Sequence, residues 1–167
     1  MVLYSVYRAT KAVDPTRPVI DTSGNFHVVT DIYDVHDYEQ NVEVFAQHYE
    51  PMKNGGAAYN TFPDRQTYQG QPYFVSEYGG ILWNNQAENG WGYGDAPKTE
   101  EDFAERYVGL TRTLMDNPNI FALCYTQLYD VEQEKNGLYT YDRETKFKPN
   151  IIAKLRNAML DLAAIEK

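Results

Sequence analysis

Glu77 has the local context most suggestive of chemistry. The run Pro72-Tyr73-Phe74-Val75-Ser76 leads into it, and Gly79-Gly80 follows one residue later. That pattern sets a carboxylate at a rigid strand tip with backbone room for a ligand, although a solvated acid in a turn leaves the same trace. Two further runs end in polar side chains, Asp34-Val35-His36-Asp37-Tyr38 and Tyr125-Thr126-Gln127. A carboxylate near a phenol and an imidazole can act as nucleophile, general acid or general base. His36 between Asp34 and Asp37 makes a metal site imaginable. The three histidines are scattered without ligand spacing, however, so no metal is expected.

These groups matter only if the surrounding elements bring them together. Leu3, Val6, Tyr7 and Thr10 fall on one helical face, and Asp14-Pro15-Thr16-Arg17-Pro18 stops that helix. Val19 to Thr22 reads as a short strand, and a second strand lies within 28–36. Val42, Phe45, Ala46 and Tyr49 repeat the helical spacing, which predicts a helix from roughly Glu39 to Tyr49. A long loop from Pro51 to Gly70 precedes a third strand over 72–77. The loop Ile81 to Lys98 carries both tryptophans. Thr99 with Asp102 three residues on resembles a capping box, and Phe103, Tyr107, Leu110 and Leu114 line the helix behind it. Ile120 to Gln127 reads as a buried strand. Tyr129 to Lys148 is irregular, with a turn at Asn136-Gly137. A last helix starts near Pro149, with Ile152, Leu155, Met159 and Leu162 as its buried face.

This alternation argues for an α/β fold, four mostly parallel strands with helices packed outside. The first two strands are joined by fewer residues than the dozen or so that a parallel crossover usually needs. They form either an abbreviated crossover or a hairpin. In such folds ligands bind where strands end and loops begin, at the carboxyl edge. All three polar runs end there.

Composition narrows the partners. The 167 residues carry 15 Lys+Arg against 24 Asp+Glu, and 15 − 24 = −9 leaves no basic footprint for nucleic acid or for anionic lipid. The longest apolar run, Ile120 to Tyr125, is six residues, too short to span a membrane. The single Cys124 cannot form an internal disulfide, and no basic-then-apolar leader opens the sequence; a reducing, cytoplasmic setting is the expectation. The 15 tyrosines offer flat faces with polar tips, suited to sugar-like ligands and equally to a wet interface.

The segment Gln71-Pro72-Tyr73-Phe74-Val75-Ser76-Glu77-Tyr78-Gly79-Gly80 resembles the seventh-strand motif of glycoside hydrolase family 2, the β-galactosidase and β-glucuronidase family. Asp14-Pro15-Thr16-Arg17-Pro18-Val19 resembles that family's lead into strand five. Asp31-Ile32-Tyr33-Asp34-Val35-His36-Asp37-Tyr38 resembles its strand six, and Ile120 to Arg143 its strand eight with the long loop that follows. The resemblance implies that Glu77 is the catalytic nucleophile. It also implies that Tyr38 is the strand-six tyrosine whose hydroxyl bonds that nucleophile, although a packing role is open to any tyrosine. His36 could then contact a sugar hydroxyl or be a satisfied strand-end residue. Tyr125 and Gln127 would point into the barrel mouth. Trp83 and Trp91 would stack on a sugar ring or simply pin their loops.

The resemblance further implies half of a (β/α)8 TIM barrel, strands five to eight, because a full barrel takes ~250 residues. The family's acid/base glutamate lies in an Asn-Glu pair at strand four, and no Asn-Glu occurs in this sequence. A retaining glycosidase needs two carboxyl groups ~5 Å apart. The chain is therefore expected to supply one of them, to need upstream domains of the same enzyme for the other, and to be inactive alone. Asn136 stands where β-glucuronidases carry a lysine that meets the sugar carboxylate, so a neutral β-glycoside such as a β-galactoside is the expected substrate. No cofactor is implied. A half barrel would also expose strand edges and barrel interior, and pairing with a second copy would cover them. A carbohydrate-binding or structural half-barrel without catalysis is the alternative.

Overall fold

A computed structural model describes residues 2–83 and 90–167, so the expected loop from Ile81 to Lys98 lies partly outside the described residues. Helix α1 runs Val2–Val13 and stops at Asp14, which the following proline keeps out of the helical region. None of its residues is buried. Its anchor is polar: Tyr7 Oη donates to Asp31 Oδ1 at 2.6 Å, and Lys11 Nζ donates to Asp31 Oδ2 at 3.0 Å.

Three strands follow, separated by helices: β1 (Tyr33–Asp37), α2 (Val42–Lys53), β2 (Tyr73–Gly79), α3 (Glu100–Met115), β3 (Ile120–Thr126) and α4 (Pro149–Ala158). The strands form one parallel sheet in the order β1-β2-β3. Each step from one strand to the next crosses over through a helix, as parallel neighbours require. Tyr33 and Val35 of β1, Tyr73, Val75 and Tyr78 of β2, and Ile120 of β3 pack against Phe45 and Tyr49 of α2, Phe103, Tyr107, Leu110 and Leu114 of α3, and Ile151 and Leu155 of α4. That helical side holds the core. The opposite face carries Asp34, His36 and Glu77.

Four expectations need correction. Val19 to Thr22 is not a strand, so the sheet has three strands rather than four. The Val19 N–H donates to the Asp31 carboxylate at 2.9 Å, and the Val19 carbonyl accepts from the Asp31 N–H at 2.9 Å and from Thr30 Oγ1. A side chain thus takes the donor that a ladder would use, and the question of hairpin or crossover disappears. Helix α2 starts later than predicted and runs past Pro51 to Lys53. Asn41 caps its start by accepting from the Glu43 and Val44 N–H groups, and Pro51 falls in the last turn. β3 is an edge strand and is only partly buried, with Phe121 and Cys124 exposed. Helix α4 ends at Ala158, so Met159 and Leu162 lie beyond it and are exposed; its buried face is Ile151, Leu155 and Ala158. The capping box at Thr99 and Asp102 forms as predicted.

Candidate active site

A regular strand turns successive side chains to opposite faces. On β2, Tyr73 and Val75 face the helices, so strict alternation would send Glu77 there as well. The register breaks instead. Val35 pairs with Val75, but His36 pairs with Glu77, leaving Ser76 as an extra residue against β1; the pairing with β3 also shifts between Val75 and Tyr78. A bulge of this kind re-aims a side chain. Ser76 and Glu77 therefore both serve the open face, and Tyr78 returns to the core.

Glu77 ends beside residues of β1. The Tyr38 hydroxyl donates to Glu77 Oε2. His36 Nδ1 lies 3.2 Å from the same oxygen, and its Nε2 lies 3.1 Å from Ser23 Oγ. The Glu77 side chain keeps 36% exposure, so a ligand can reach it. Burial first, and the bond to Glu77 second, hold the Tyr38 phenol protonated well above its ordinary 10.0, against a smaller opposing contribution from Thr126. The Tyr38 ring stacks on Tyr93, with centroids 3.6 Å apart and planes 7° off parallel. Gly80 makes room for that stack, because a Cβ there would stand 2.5 Å from Tyr93 and 3.0 Å from Tyr38.

Beneath Glu77 lies a buried ionic cluster on the segment that follows Val19. His27 Nδ1 bonds Asp21 Oδ1 at 2.7 Å, and its Nε2 lies 2.8 Å from the Asp34 carbonyl and 3.1 Å from Asp34 Oδ1. Asp34 Oδ2 accepts from Ser76 Oγ at 2.5 Å and from the Gly24 N–H at 2.9 Å. Burial alone would push the His27 imidazole down. The carboxylates of Asp34 and Asp21 outweigh it, and the ring is raised from 6.5 to about 9. Asp21 is likewise lowered despite burial, by His27 and by the Val28 and Val29 N–H groups. The sequence reading missed Asp21, Ser23, Gly24, His27, Ser76 and Tyr93. The signal for the cluster was His27 lying between Asp21 and Asp34 in the sequence.

Not every predicted residue joins Glu77. Tyr125 turns into the helical side, packed on Tyr78 and Tyr107, with burial driving its phenol well above 10.0. The space left by Gly79 serves this ring, which a Cβ would meet at 2.2 Å, so the two glycines accommodate the protein's own aromatics rather than a ligand. Gln127 Nε2 donates to Asn136 Oδ1 at 2.8 Å. Trp83 is 7% exposed and stacks on Phe147, pinning its loop to the core. Trp91 is 50% exposed, edge-on to Tyr93 at 6.0 Å, and so continues the Tyr38–Tyr93 stack outward. Asp37 faces α2, where His48 Nδ1 lies 2.7 Å away and the Tyr49 hydroxyl donates to it at 3.1 Å. Asn136 is fully buried and its amide donates to Glu134. Among the described residues no group of three or more His, Cys, Asp or Glu is arranged to hold a metal ion, and no helix is long and apolar enough to cross a membrane.

No protein-family model matches the sequence, and no curated protein matches it. Solved structures do match in fold. An FMN-binding β-glucuronidase from Faecalibacterium prausnitzii superimposes with a TM-score of 0.62 at 21% identity, over 95% of this chain and 26% of its own. A family 2 (GH2) β-galacturonidase from Eisenbergiella tayi gives 0.64 at 14% identity, over 96% of this chain and 30% of its own. A β-glucuronidase from Lactobacillus rhamnosus gives 0.63 at 17% identity, over 99% and 30%. The chain spans about 26–30% of the length of these proteins. At such identities the likeness is one of fold: the chain has the fold of part of these glycosidases.

Proposed function

We propose that this chain is the nucleophile-bearing part of a retaining β-glycosidase barrel of the family 2 type, supplying three of its strands, with Glu77 as nucleophile. The observation that carries this reading is the meeting of Glu77 and Tyr38 on the open face near the carboxyl ends of a parallel sheet. In the first step a Glu77 oxygen bonds the anomeric carbon while the glycosidic C–O bond breaks. The departing oxygen takes a proton from a second carboxylic acid. In the second step that carboxylate removes a proton from water, whose oxygen replaces Glu77 at the anomeric carbon and frees both sugar and carboxylate. The second acid belongs to the half of the barrel that bears strands one to four. Asp34 is buried, its Oδ2 bonded by Ser76 and Gly24 and its Oδ1 facing the His27 ring at 3.1 Å, and Asp37 faces the helices, so neither serves as that acid.

The substrate is a neutral β-glycoside. A lysine at position 136 would be needed to meet a sugar carboxylate in the β-glucuronidase manner. Asn136 is buried and spent on Gln127 and Glu134, while Lys146 Nζ bonds Asp130 at 2.8 Å. Exposed Trp91, at the outer end of the Tyr38–Tyr93 stack, offers a ring face to the sugar or to its aglycone. The test is replacement of Glu77 in a polypeptide that joins this chain to the acid-bearing half. Glu77→Ala should abolish hydrolysis of nitrophenyl β-glycosides, and azide should restore part of it by attacking the anomeric carbon in place of the carboxylate. Ordinary activity without Glu77 would overturn the reading.

A further inference from the structure

We infer that His36 is a positioning residue for the nucleophile rather than a sugar ligand: the Ser23-Gly24 turn holds its Nδ1 against Glu77 Oε2, and the carboxylate draws the ring proton to that nitrogen. This rests on Glu77 acting as proposed above. Nδ1 lies 3.2 Å from Glu77 Oε2, an ion-pair contact, and Nε2 is hydrogen-bonded to Ser23 Oγ at 3.1 Å. A neutral imidazole has one donor and one acceptor, whereas a carboxylate only accepts. The arrangement is favourable when Nδ1 carries the proton and Nε2 accepts from the Ser23 hydroxyl. The opposite tautomer sets a ring lone pair against a carboxylate.

The turn is built around this ring. Gly24 has φ +68°, and a Cβ there would stand 2.2 Å from His36 Cδ2, so the backbone can lie against the imidazole only as glycine. The Gly24 N–H is fastened to Asp34 Oδ2 at 2.9 Å, and His27 and Ser76 hold Asp34 in turn. The cluster thus clamps the turn, the turn clamps the ring, and the ring addresses the nucleophile. With Tyr38 and His36 both on Oε2, that oxygen is occupied and the carboxylate plane is fixed. Oε1 is left as the atom that bonds the anomeric carbon. A ring with both nitrogens committed has no group left for a sugar hydroxyl.

The test is a long-range proton–nitrogen NMR spectrum of the 167-residue chain itself, which reads the His36 tautomer whether or not the chain is a glycosidase. His36 should carry its proton at Nδ1, and Glu77→Ala should shift the population toward Nε2–H. A ring protonated at Nε2 alone, or a tautomer unmoved by Glu77→Ala, would overturn the assignment. The kinetic arm uses the chain joined to the acid-bearing half. An asparagine amide reaches the Nδ1 position and a glutamine amide the Nε2 position. His36→Asn should therefore keep most of kcat, while His36→Gln loses about 10- to 100-fold with KM little changed. A sugar ligand would instead raise KM in both, and that result would also overturn the inference. Failure of the NMR arm alone would leave the role of Glu77 standing, because azide rescue does not depend on His36.

Discussion

Ser76 and Glu77 are neighbours in the chain, yet both side chains serve the same face of the sheet, Ser76 bonded to Asp34 and Glu77 to Tyr38. The extra residue in the β1–β2 register makes this possible, and Asp34 pins it by accepting from the Ser76 hydroxyl. The aim of the carboxylate is therefore set one residue upstream of it. The buried cluster that holds Asp34 lies in a segment that contributes no strand.

Tyr38→Phe should leave the fold intact, because the ring can still stack on Tyr93, while removing one donor from Glu77. A hydrogen bond to a charged group contributes about 1.5–3 kcal/mol, so kcat in the completed enzyme should fall roughly 10- to 150-fold. Steady-state kinetics beside a circular dichroism spectrum would check this. An unchanged kcat would remove Tyr38 from the machinery.

The His27 cluster gives stability a particular dependence on pH. Folding raises His27 from 6.5 to about 9, so the folded chain binds its proton more tightly than the unfolded chain does. The contribution is whole below about 6.5 and is lost as pH rises through about 9, on the order of 3 kcal/mol at most. Tm should fall between these limits in the natural chain and stay nearly level in His27→Gln. Parallel Tm curves for the two proteins would contradict the pairing with Asp21 and Asp34.

The open face of the sheet carries Phe74 and Phe121, with ring centroids 6.0 Å apart, beside exposed Cys124, and β1 and β3 each pair on one side only. Each apolar Å² left in water forgoes ~25 cal/mol, and the net charge of −9 is screened beyond ~8 Å at physiological salt. At micromolar concentration the isolated chain should pair with a second copy. Alkylation of Cys124 should be fast in dilute solution and slow as concentration rises. A monomer by light scattering, with a rate independent of concentration, would contradict this.

The elements around the site were legible in the sequence where local chemistry decides them. The Thr99–Asp102 capping box and the apolar face of α3 are intrinsic to their own segments, as is Pro149 at the start of α4. Glu77 and Tyr38 were legible as motif residues, but the bulge that joins them was not. Strict period-two reasoning sends Glu77 to the helices, and only pairing with β1 reveals the extra residue. Val19 to Thr22 has strand composition, yet Asp31, twelve residues on, satisfies the Val19 N–H through its side chain. Tyr125 and Gln127 were expected to point into the barrel mouth, but the neighbouring Gly79 opens a slot on the helical side that the Tyr125 ring fills, and Gln127 lies beyond the end of β3.

The isolated chain should be close to inactive on nitrophenyl β-glycosides. On the proposed reading it offers Glu77 without the partner acid, and general acid–base assistance is worth roughly 10²–10⁴ in rate. Adding the acid-bearing half in trans should raise the rate, and Glu77→Gln should abolish the gain. Robust turnover by the chain alone would mean that the acid lies within it.

Covalent trapping would identify the nucleophile itself. The completed enzyme would be treated with an activated 2-deoxy-2-fluoro-β-glycoside, which slows release of the sugar, then digested and read by tandem mass spectrometry. Time-dependent inactivation is expected, with one sugar per chain, carried by Glu77. A label on another carboxylate, or turnover with inversion and no trapped species, would contradict it.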